Sequence, residues 1–207
     1  MITRENKMKD LPWPNLRNIL DEKLSDYVSD KDEAYLFNDW GLYFESYRRA
    51  AKIIQISMQE NDDNKILLCP YIYVKRHAIE LILKIIIFLG NYIRFQIKKR
   101  ETGHKLTSLW YSALEQIKHI WSQNINIKDI DAIGKLIELI EKNDKDSQRF
   151  RYPIDIKGKT PQNIGFHISN IIISTDQVLE CLKSFAELLY GNYTRVPGAE
   201  KNILHEL

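Results

Sequence analysis

Glycine and proline are scarce in this 207-residue chain, which contains 8 and 6 of them. Both residues are typical of turns, so their scarcity favours long helices over a fold of many short strands. No stretch alternates apolar and polar residues in the way that predicts a strand, and there are no internal repeats. We therefore expect one all-α domain, a bundle of about five or six helices with a substantial core.

Cysteine is equally scarce, with only Cys69 and Cys181. Both lie in apolar helical patterns, so we expect buried, reduced thiols and no disulfide framework. The chain has no glycine-rich phosphate-binding loop, no H-E-x-x-H or paired C-x-x-C, and no G-x-S-x-G. These absences exclude several common nucleotide-binding, zinc and hydrolase sites, and we expect neither a bound metal nor another cofactor.

Long apolar runs are missing too. The run from Leu81 to Leu89 is interrupted by Lys84 and is too short to span a bilayer. The first ten residues, MITRENKMKD, are polar and do not resemble a signal peptide. We expect a cytoplasmic protein without membrane association.

Charge is balanced overall, at a net +2, but it is unevenly distributed. Residues 1–63 contain 9 basic and 13 acidic side chains, whereas residues 64–103 contain 8 and 2. A local basic excess can mark a site for a polyanion. A solvated basic helix end that complements the helix dipole explains it equally well.

The most apolar stretch is Leu67–Tyr92, LLCPYIYVKRHAIELILKIIIFLGNY. Pro70 suits the first turn of a helix, where its missing N–H is not needed. Apolar residues then cover nearly the whole helix surface, which is typical of a helix at the centre of a domain. One polar stripe remains, because Arg76, Glu80 and Lys84 recur every four residues, with His77 beside them. Buried charges require partners, so this stripe is the first candidate site.

Helical spacing predicts the other elements around this central helix. We expect helices over 14–28, from 34 or 39 to 60, and over 102–122, 128–143 and 160–190. The aromatic face of the second, which includes Trp40, Tyr43 and Tyr47, is expected in the core. The predicted organisation is an N-terminal tail and helix (1–33), a helical domain (34–192) and a C-terminal tail (193–207). An irregular, highly charged loop precedes the last long helix.

Three segments concentrate the polar chemistry. They are Arg76-His77-x-x-Glu80-x-x-x-Lys84, then Gly103-His104-Lys105-Leu106-x-x-Leu109-Trp110, and Asp146-Ser147-x-Arg149-Phe150-Arg151-Tyr152-Pro153. In this order on a helical chain, they resemble bacterial proteins of the HEPN (higher eukaryotes and prokaryotes nucleotide-binding) superfamily. The resemblance covers roughly residues 40–190.

The resemblance implies a HEPN-like helical bundle, a homodimer, and a role in toxin–antitoxin, abortive-infection or antiviral defence systems. Many members are metal-independent ribonucleases whose hallmark is R-x4–6-H. This sequence departs from that hallmark, since its nearest approach is Arg100 to His104, an R-x3-H. The implied partners are RNA or a nucleotide, together with a partner protein encoded nearby.

Two interpretations of the three segments remain open. In the catalytic one, the reacting residues are His77, His104, Arg149 and Arg151, and the substrate-binding residues are Arg76, Lys84, Lys105 and Tyr152. In the structural one, an ion network includes Glu80 and Asp146: Glu80 pairs with Arg149 or Arg151, and Asp146 pairs with Arg76 or Lys84. The protein would then be a non-catalytic module that regulates a partner protein, or a nucleotide-sensing domain.

Overall fold

The computed structural model describes residues 40–95, 102–121, 126–144, 147, 149–151 and 168–193. Within these ranges the chain forms five α-helices and no strand: α1 Trp40–Glu60, α2 Leu68–Phe95, α3 Leu106–Trp121, α4 Ile127–Asn143 and α5 Ile168–Tyr193. A 3₁₀ helix, Asp62–Leu67, joins α1 to α2. The all-α prediction is confirmed. None of these helices is long and apolar enough to cross a bilayer. The predicted helix over 14–28 and the start of the last helix near residue 160 lie outside the described residues.

The central helix is α2, as its composition predicts. It packs against α1, α3 and α5, while α4 packs on α3 and α5. Pro70 lies in its first turn, and its apolar side chains, such as Ile79, Leu83 and Ile86, are fully buried. Each such side chain contributes about 1.5–3 kcal/mol of hydrophobic stabilisation. Because α2 is enclosed on several sides, its charged stripe is enclosed with it.

Glycine at position 90 makes an early end or a kink of the central helix possible, with continuation to about residue 99 as the alternative, but Gly90 does not end α2. The helix continues to Phe95, and Gly90 instead permits close contact with α3. A Cβ added at Gly90 would lie 2.5 Å from Cβ of Gln116, which is shorter than such contacts occur. The glycine therefore serves helix packing at this position.

The start of α3 differs from the prediction in a way that affects the site. The helix begins at Leu106, so residues 102–105 form an irregular, exposed connection. The N–H of Leu109 donates to the carbonyl oxygen of Lys105. His104 thus precedes the first helical turn instead of belonging to it. That position lets its ring reach back towards α2.

Two smaller expectations are corrected by the structure. Cys69 and Cys181 are free thiols, but both are exposed rather than buried. The helical pattern places a residue on a face without showing how far that face is covered. The last helix passes Gly191 and ends at Tyr193, because a glycine in a final turn does not by itself require a left-handed stop.

Candidate functional site: a buried ion network beneath an exposed histidine

The charged stripe of α2 lies inside the bundle. Arg76 is 1% exposed, Glu80 2% and Lys84 7%. Their four-residue spacing aligns them along one face. That face meets the residues before α3 and the C-terminal end of α4, which supply the partners.

Glu80 is the centre of this cluster. Its Oε1 accepts a hydrogen bond from Nζ of Lys84 at 3.0 Å and lies 2.8 Å from Nδ1 of His104. Its Oε2 accepts from Nη1 of Arg76 at 3.4 Å. Burial alone would raise the pKa of this carboxyl, but the hydrogen bonds from Lys84 and His104 outweigh it and lower the pKa. Glu80 is therefore ionised at neutral pH.

Arg76 joins three structural elements. Its Nη2 donates to the carbonyl oxygen of His104 at 3.2 Å and lies 3.8 Å from Oε2 of Glu141. Its Nε is 3.3 Å from Oδ2 of Asp144, an ion-pair distance, although neither atom has a hydrogen-bond partner. The guanidinium thus faces carboxylates from α2 and from the end of α4.

Glu141 links α4 to α3 through a hydrogen bond. Its Oε2 accepts from the N–H of Leu106 at 2.8 Å, and this N–H is at the first turn of α3, where the helix offers no acceptor. Its Oε1 is buried without a hydrogen bond. Burial raises the pKa of Glu141, and the Leu106 bond and the charge of Arg76 only partly oppose this. The buried side of the network therefore holds α2, α3 and α4 together.

His104 is the exposed member of the cluster. Its side chain is 75% exposed, yet Nδ1 contacts the buried carboxylate of Glu80. Because an ionised carboxylate only accepts hydrogen bonds, Nδ1 is assigned as the N–H donor. In the neutral ring, Nε2 on the opposite side then carries the free lone pair. A carboxylate that orients an imidazole in this way is a common arrangement in acid–base catalysis.

His77 is a second, half-buried imidazole next to this group. Its ring packs edge-on against Tyr47, with centroids 4.4 Å apart, and lies nearly parallel to Tyr73 at 6.2 Å. Burial lowers its pKa, and although the charge of Glu80 acts in the opposite direction, those of Lys84, Arg76 and His104 add to the effect. His77 is therefore neutral at pH 7, the form that accepts a proton.

The described residues after α4 form a tight turn. Ser147 has a φ of 55°, in the left-handed region that non-glycine residues seldom adopt. Arg149 donates its backbone N–H to Oδ1 of Asp144 and its Nη1 to the carbonyl oxygen of Asn143. The guanidinium of Arg151 lies 5.4 Å from the ring centroid of Tyr73. Of the two predicted arginines, Arg151 thus lies next to the ring that stacks on His77.

The predicted ion pairs differ from the observed ones. Glu80 pairs with Arg76, Lys84 and His104, and not with Arg149 or Arg151. The spacing of four residues between Arg76, Glu80 and Lys84 allows ion pairs within α2, and these pairs form in place of the predicted ones with the loop arginines. Asp146 and Tyr152 lie outside the described residues.

Sequence reasoning missed Glu141 and Asp144. A signal existed for Glu141, since it follows Ile137 by four residues on the buried face of α4. The predicted substrate-binding residues separate by burial: Lys105 is exposed, whereas Arg76 and Lys84 are enclosed. Nζ of Lys84 lies 5.8 Å from the ring centroid of Trp40.

In comparisons with protein-family models, curated proteins and solved structures, the chain shows no significant match. The described ranges also contain no group of three or more His, Cys, Asp or Glu side chains that could hold a metal ion. The geometry of the cluster is therefore the basis for the functional argument.

Proposed function

We propose that the protein is a metal-independent endoribonuclease of the HEPN-like type, acting in a bacterial defence or toxin–antitoxin system. One observation carries the proposal: an exposed imidazole, His104, is oriented by a buried, ionised carboxylate, Glu80, at 2.8 Å. A histidine used only for packing does not need this combination of a solvent-facing ring and a buried orienting charge.

The chemistry requires a base, an acid and a cation. The base removes the proton from a ribose 2′-OH, and the oxygen attacks the adjacent phosphorus. The bond to the 5′-oxygen of the next nucleotide breaks, and that oxygen takes a proton from the acid. The products are a 2′,3′-cyclic phosphate and a 5′-hydroxyl, so no oxidant, water or metal is consumed.

The described residues can fill these roles. We assign His77, a neutral imidazole three residues before Glu80 on α2, as the base, and the exposed ring of His104 in its protonated form as the acid that donates from Nε2. The exposed cations Lys105 and Arg151 are suited to the phosphate, whose charge increases in the transition state. We assign Arg76, which is 1% exposed, to the network that holds Glu80.

The test is cleavage of single-stranded RNA and of tRNA by the purified chain in the presence of EDTA. We expect His104→Gln and His77→Gln each to reduce the rate by about 100-fold or more, because a positioned acid or base contributes that much. His119→Gln is the matched control, since His119 is an exposed histidine in the last turn of α3. Uncut RNA with the wild-type chain, or equal rates for the His104 and His119 variants, would overturn the proposal.

The pH profile gives an independent readout for His77. Since burial lowers its pKa, His77 remains an effective base below the usual histidine range. Activity should therefore persist below about pH 6.5 and fall as the pH drops through the lowered pKa of His77. If the rate is already lost while the pH is lowered towards 6.5, the base is a group other than His77.

A second candidate function rests on a different observation. In the buried network, Arg76 faces the carboxylates of Glu80, Glu141 and Asp144, which is the arrangement of a structural ion cluster. The protein would then be a non-catalytic helical module that binds RNA, a nucleotide or a partner protein. This alternative predicts an inactive wild-type chain whose His104 variants keep full affinity for the partner.

A further inference from the structure

Asp144 caps the C-terminal end of α4 and is 2% exposed. Its backbone N–H donates to the carbonyl oxygen of Ile140, which closes the last turn of the helix. Its Oδ2 lies 3.3 Å from Nε of Arg76, within the buried network. Its Oδ1 accepts from the backbone N–H of Arg149 at 3.0 Å, in the turn that follows. One carboxylate therefore contacts the buried network on one side and this turn on the other.

The turn after α4 needs such support because its backbone is strained. The φ of Ser147 is 55°, a left-handed conformation that costs free energy in a residue with a Cβ. A residue keeps such a conformation when the surrounding contacts determine it. Asp144 supplies two of these contacts, since its carbonyl oxygen accepts from the N–H of Ser147 and its Oδ1 accepts from Arg149. A third contact joins Nη1 of Arg149 to the carbonyl oxygen of Asn143.

The conformation of Ser147 determines where the guanidinium of Arg151 lies. The carbonyl oxygen of Ser147 accepts a hydrogen bond from Nε of Arg151, which fixes one edge of the guanidinium. The guanidinium lies 5.4 Å from the ring centroid of Tyr73, and this ring stacks on His77. Asp144 is thus linked to Arg151 through the hydrogen bonds of Ser147, and the ring of Tyr73 connects Arg151 to the proposed base.

The histidine side of the site depends less on Asp144. Arg76 also faces Glu80 and Glu141, and its Nη2 donates directly to the carbonyl oxygen of His104. Removing the side chain of Asp144 leaves Arg76 with both of these carboxylates. The turn, in contrast, loses the acceptor for a backbone N–H next to its strained residue. The main effect of the substitution should therefore be on the turn.

We propose that Asp144 is a positioning residue, which holds the turn after α4 so that the guanidinium of Arg151 lies beside the ring stack of His77. Its catalytic consequence rests on the proposed ribonuclease function, in which Arg151 stabilises the charge that develops on the phosphate. The placement of Arg151 does not rest on that function, because it follows from the contacts of the turn. The placement and its consequence are therefore tested separately.

Nuclear magnetic resonance of the isotope-labelled full chain tests the placement without any activity. The Nε–Hε group of Arg151 is hydrogen-bonded beside an aromatic ring, so its signal should be shifted by the ring and should exchange slowly with water. Asp144→Ala should speed this exchange by roughly fivefold or more, the protection that one hydrogen bond gives. Asp131→Ala, at an exposed position on α4, is the matched control. A signal of Arg151 that is unchanged in Asp144→Ala would overturn the proposal.

Two substitutions of Ser147 test the turn without altering a partner of Arg76. Ser147→Val should release Arg151 to a similar extent, because a β-branched residue does not tolerate this φ. Ser147→Gly should keep the slow exchange, since glycine adopts a positive φ without steric cost. If Asp144→Ala fails to fold by circular dichroism, Ser147→Val replaces it in both experiments. Equal exchange in the valine and glycine variants would overturn the proposal.

RNA cleavage tests the consequence through a double-mutant cycle. Arg151→Ala should lower kcat by about 100-fold, the loss typical of one donor to a developing charge. Asp144→Ala should lower kcat by about 10-fold or more, with a smaller change in KM, because a displaced group stabilises the transition state less. In a chain that already carries Arg151→Ala, the same change should lower kcat by less than about twofold, because the group that it positions is gone.

The outcomes distinguish this proposal from the ribonuclease proposal. If the wild type cuts no RNA while the Arg151 signal responds to Asp144→Ala, the ribonuclease proposal fails and the positioning role is supported. If the wild type is active and Asp144→Ala lowers kcat by the same factor with and without Arg151, the residue is merely structural. The positioning role is then wrong, and the ribonuclease proposal stands.

Discussion

Replacing Glu80 by glutamine removes the one charge on which the buried cluster is centred. Its carboxylate is 3% exposed and contacts three cationic or donor groups. Glutamine has nearly the same shape, so the substitution tests charge and hydrogen bonding rather than packing.

The expected cost follows from what each partner loses. Lys84 loses the most stabilisation, because its side chain is only 8% exposed and Glu80 is its carboxylate partner in the described structure. A charge-assisted hydrogen bond contributes about 1.5–3 kcal/mol. Arg76 loses less, since Glu141 and Asp144 remain within 4 Å. His104 loses about 1 kcal/mol or less, because its exposed ring can be hydrated instead. If Arg76 also loses about 1 kcal/mol or less, the sum is about 1.5–5 kcal/mol, which overlaps the 3–5 kcal/mol that breaking a buried pair costs in other proteins.

Chemical denaturation of the wild type and Glu80→Gln measures this difference. A loss of that size is a large fraction of the 5–15 kcal/mol typical of a domain, and it should lower Tm by about 10 °C. Adding Lys84→Met to Glu80→Gln should recover at least half of the lost free energy of unfolding, because it removes a buried ammonium that has lost its carboxylate partner. A single variant that loses less than about 1 kcal/mol, or a double variant less stable than the single one, would refute the argument.

The same substitution should change the response to acid. The pKa of Glu80 is lowered in the folded chain, so its stabilising contribution is complete above the unfolded value, near 4.3. It is lost as the pH falls through the lowered folded value. Glu80→Gln lacks this group, so its stability should decline less steeply than that of the wild type over the same range.

Two further predictions concern other buried positions. Gly90→Ala should destabilise the fold by about 1–3 kcal/mol in denaturant titrations, because its methyl group would overlap the side chain of Gln116. Gly191→Ala, with nothing within 4 Å of an added Cβ, should instead be neutral or gain up to about 1 kcal/mol; equal effects would contradict this explanation. Burial lowers the pKa of Lys75 to about 8, so the stability of the wild type should rise by about 2 kcal/mol between pH 8 and pH 10. Lys75→Met should lack that gain, which guanidinium titrations at each pH would show.

The fold was largely predictable because apolar residues at helical spacing mark the buried face of each helix. Stripes at helical spacing gave α1, α2, α3 and α4 within a few residues, with α2 at the centre. Errors occurred where an end depends on tertiary contact. The start of α3 is set by a carboxylate from α4, which accepts the N–H of Leu106, and no local signal encodes that bond. Gly90 was ambiguous for the same reason, since its role is determined by a side chain on another helix.

The candidate site was predictable in part. The stripe of Arg76, Glu80 and Lys84 could be read from the sequence because it interrupts an apolar helix. Its contact with His104 could only be suggested, since those residues are 24 apart and meet through the connection before α3. Asp144 was missed because a charged loop offers several acids, and spacing does not select the one that reaches Arg76.

The network and the proposed chemistry share Glu80, so a loss of activity in Glu80→Gln would not by itself separate catalysis from folding. His104 does separate them. Its side chain is 75% exposed, and its backbone carbonyl, which accepts from Arg76, is unchanged by substitution of the ring. His104→Gln should therefore cost little stability while it removes the acid–base group. If a structural network also orients a catalytic ring, the His104 variant should be folded but inactive, whereas the Glu80 variant should be unstable. If both variants lose stability in the same proportion as activity, the cluster is structural alone.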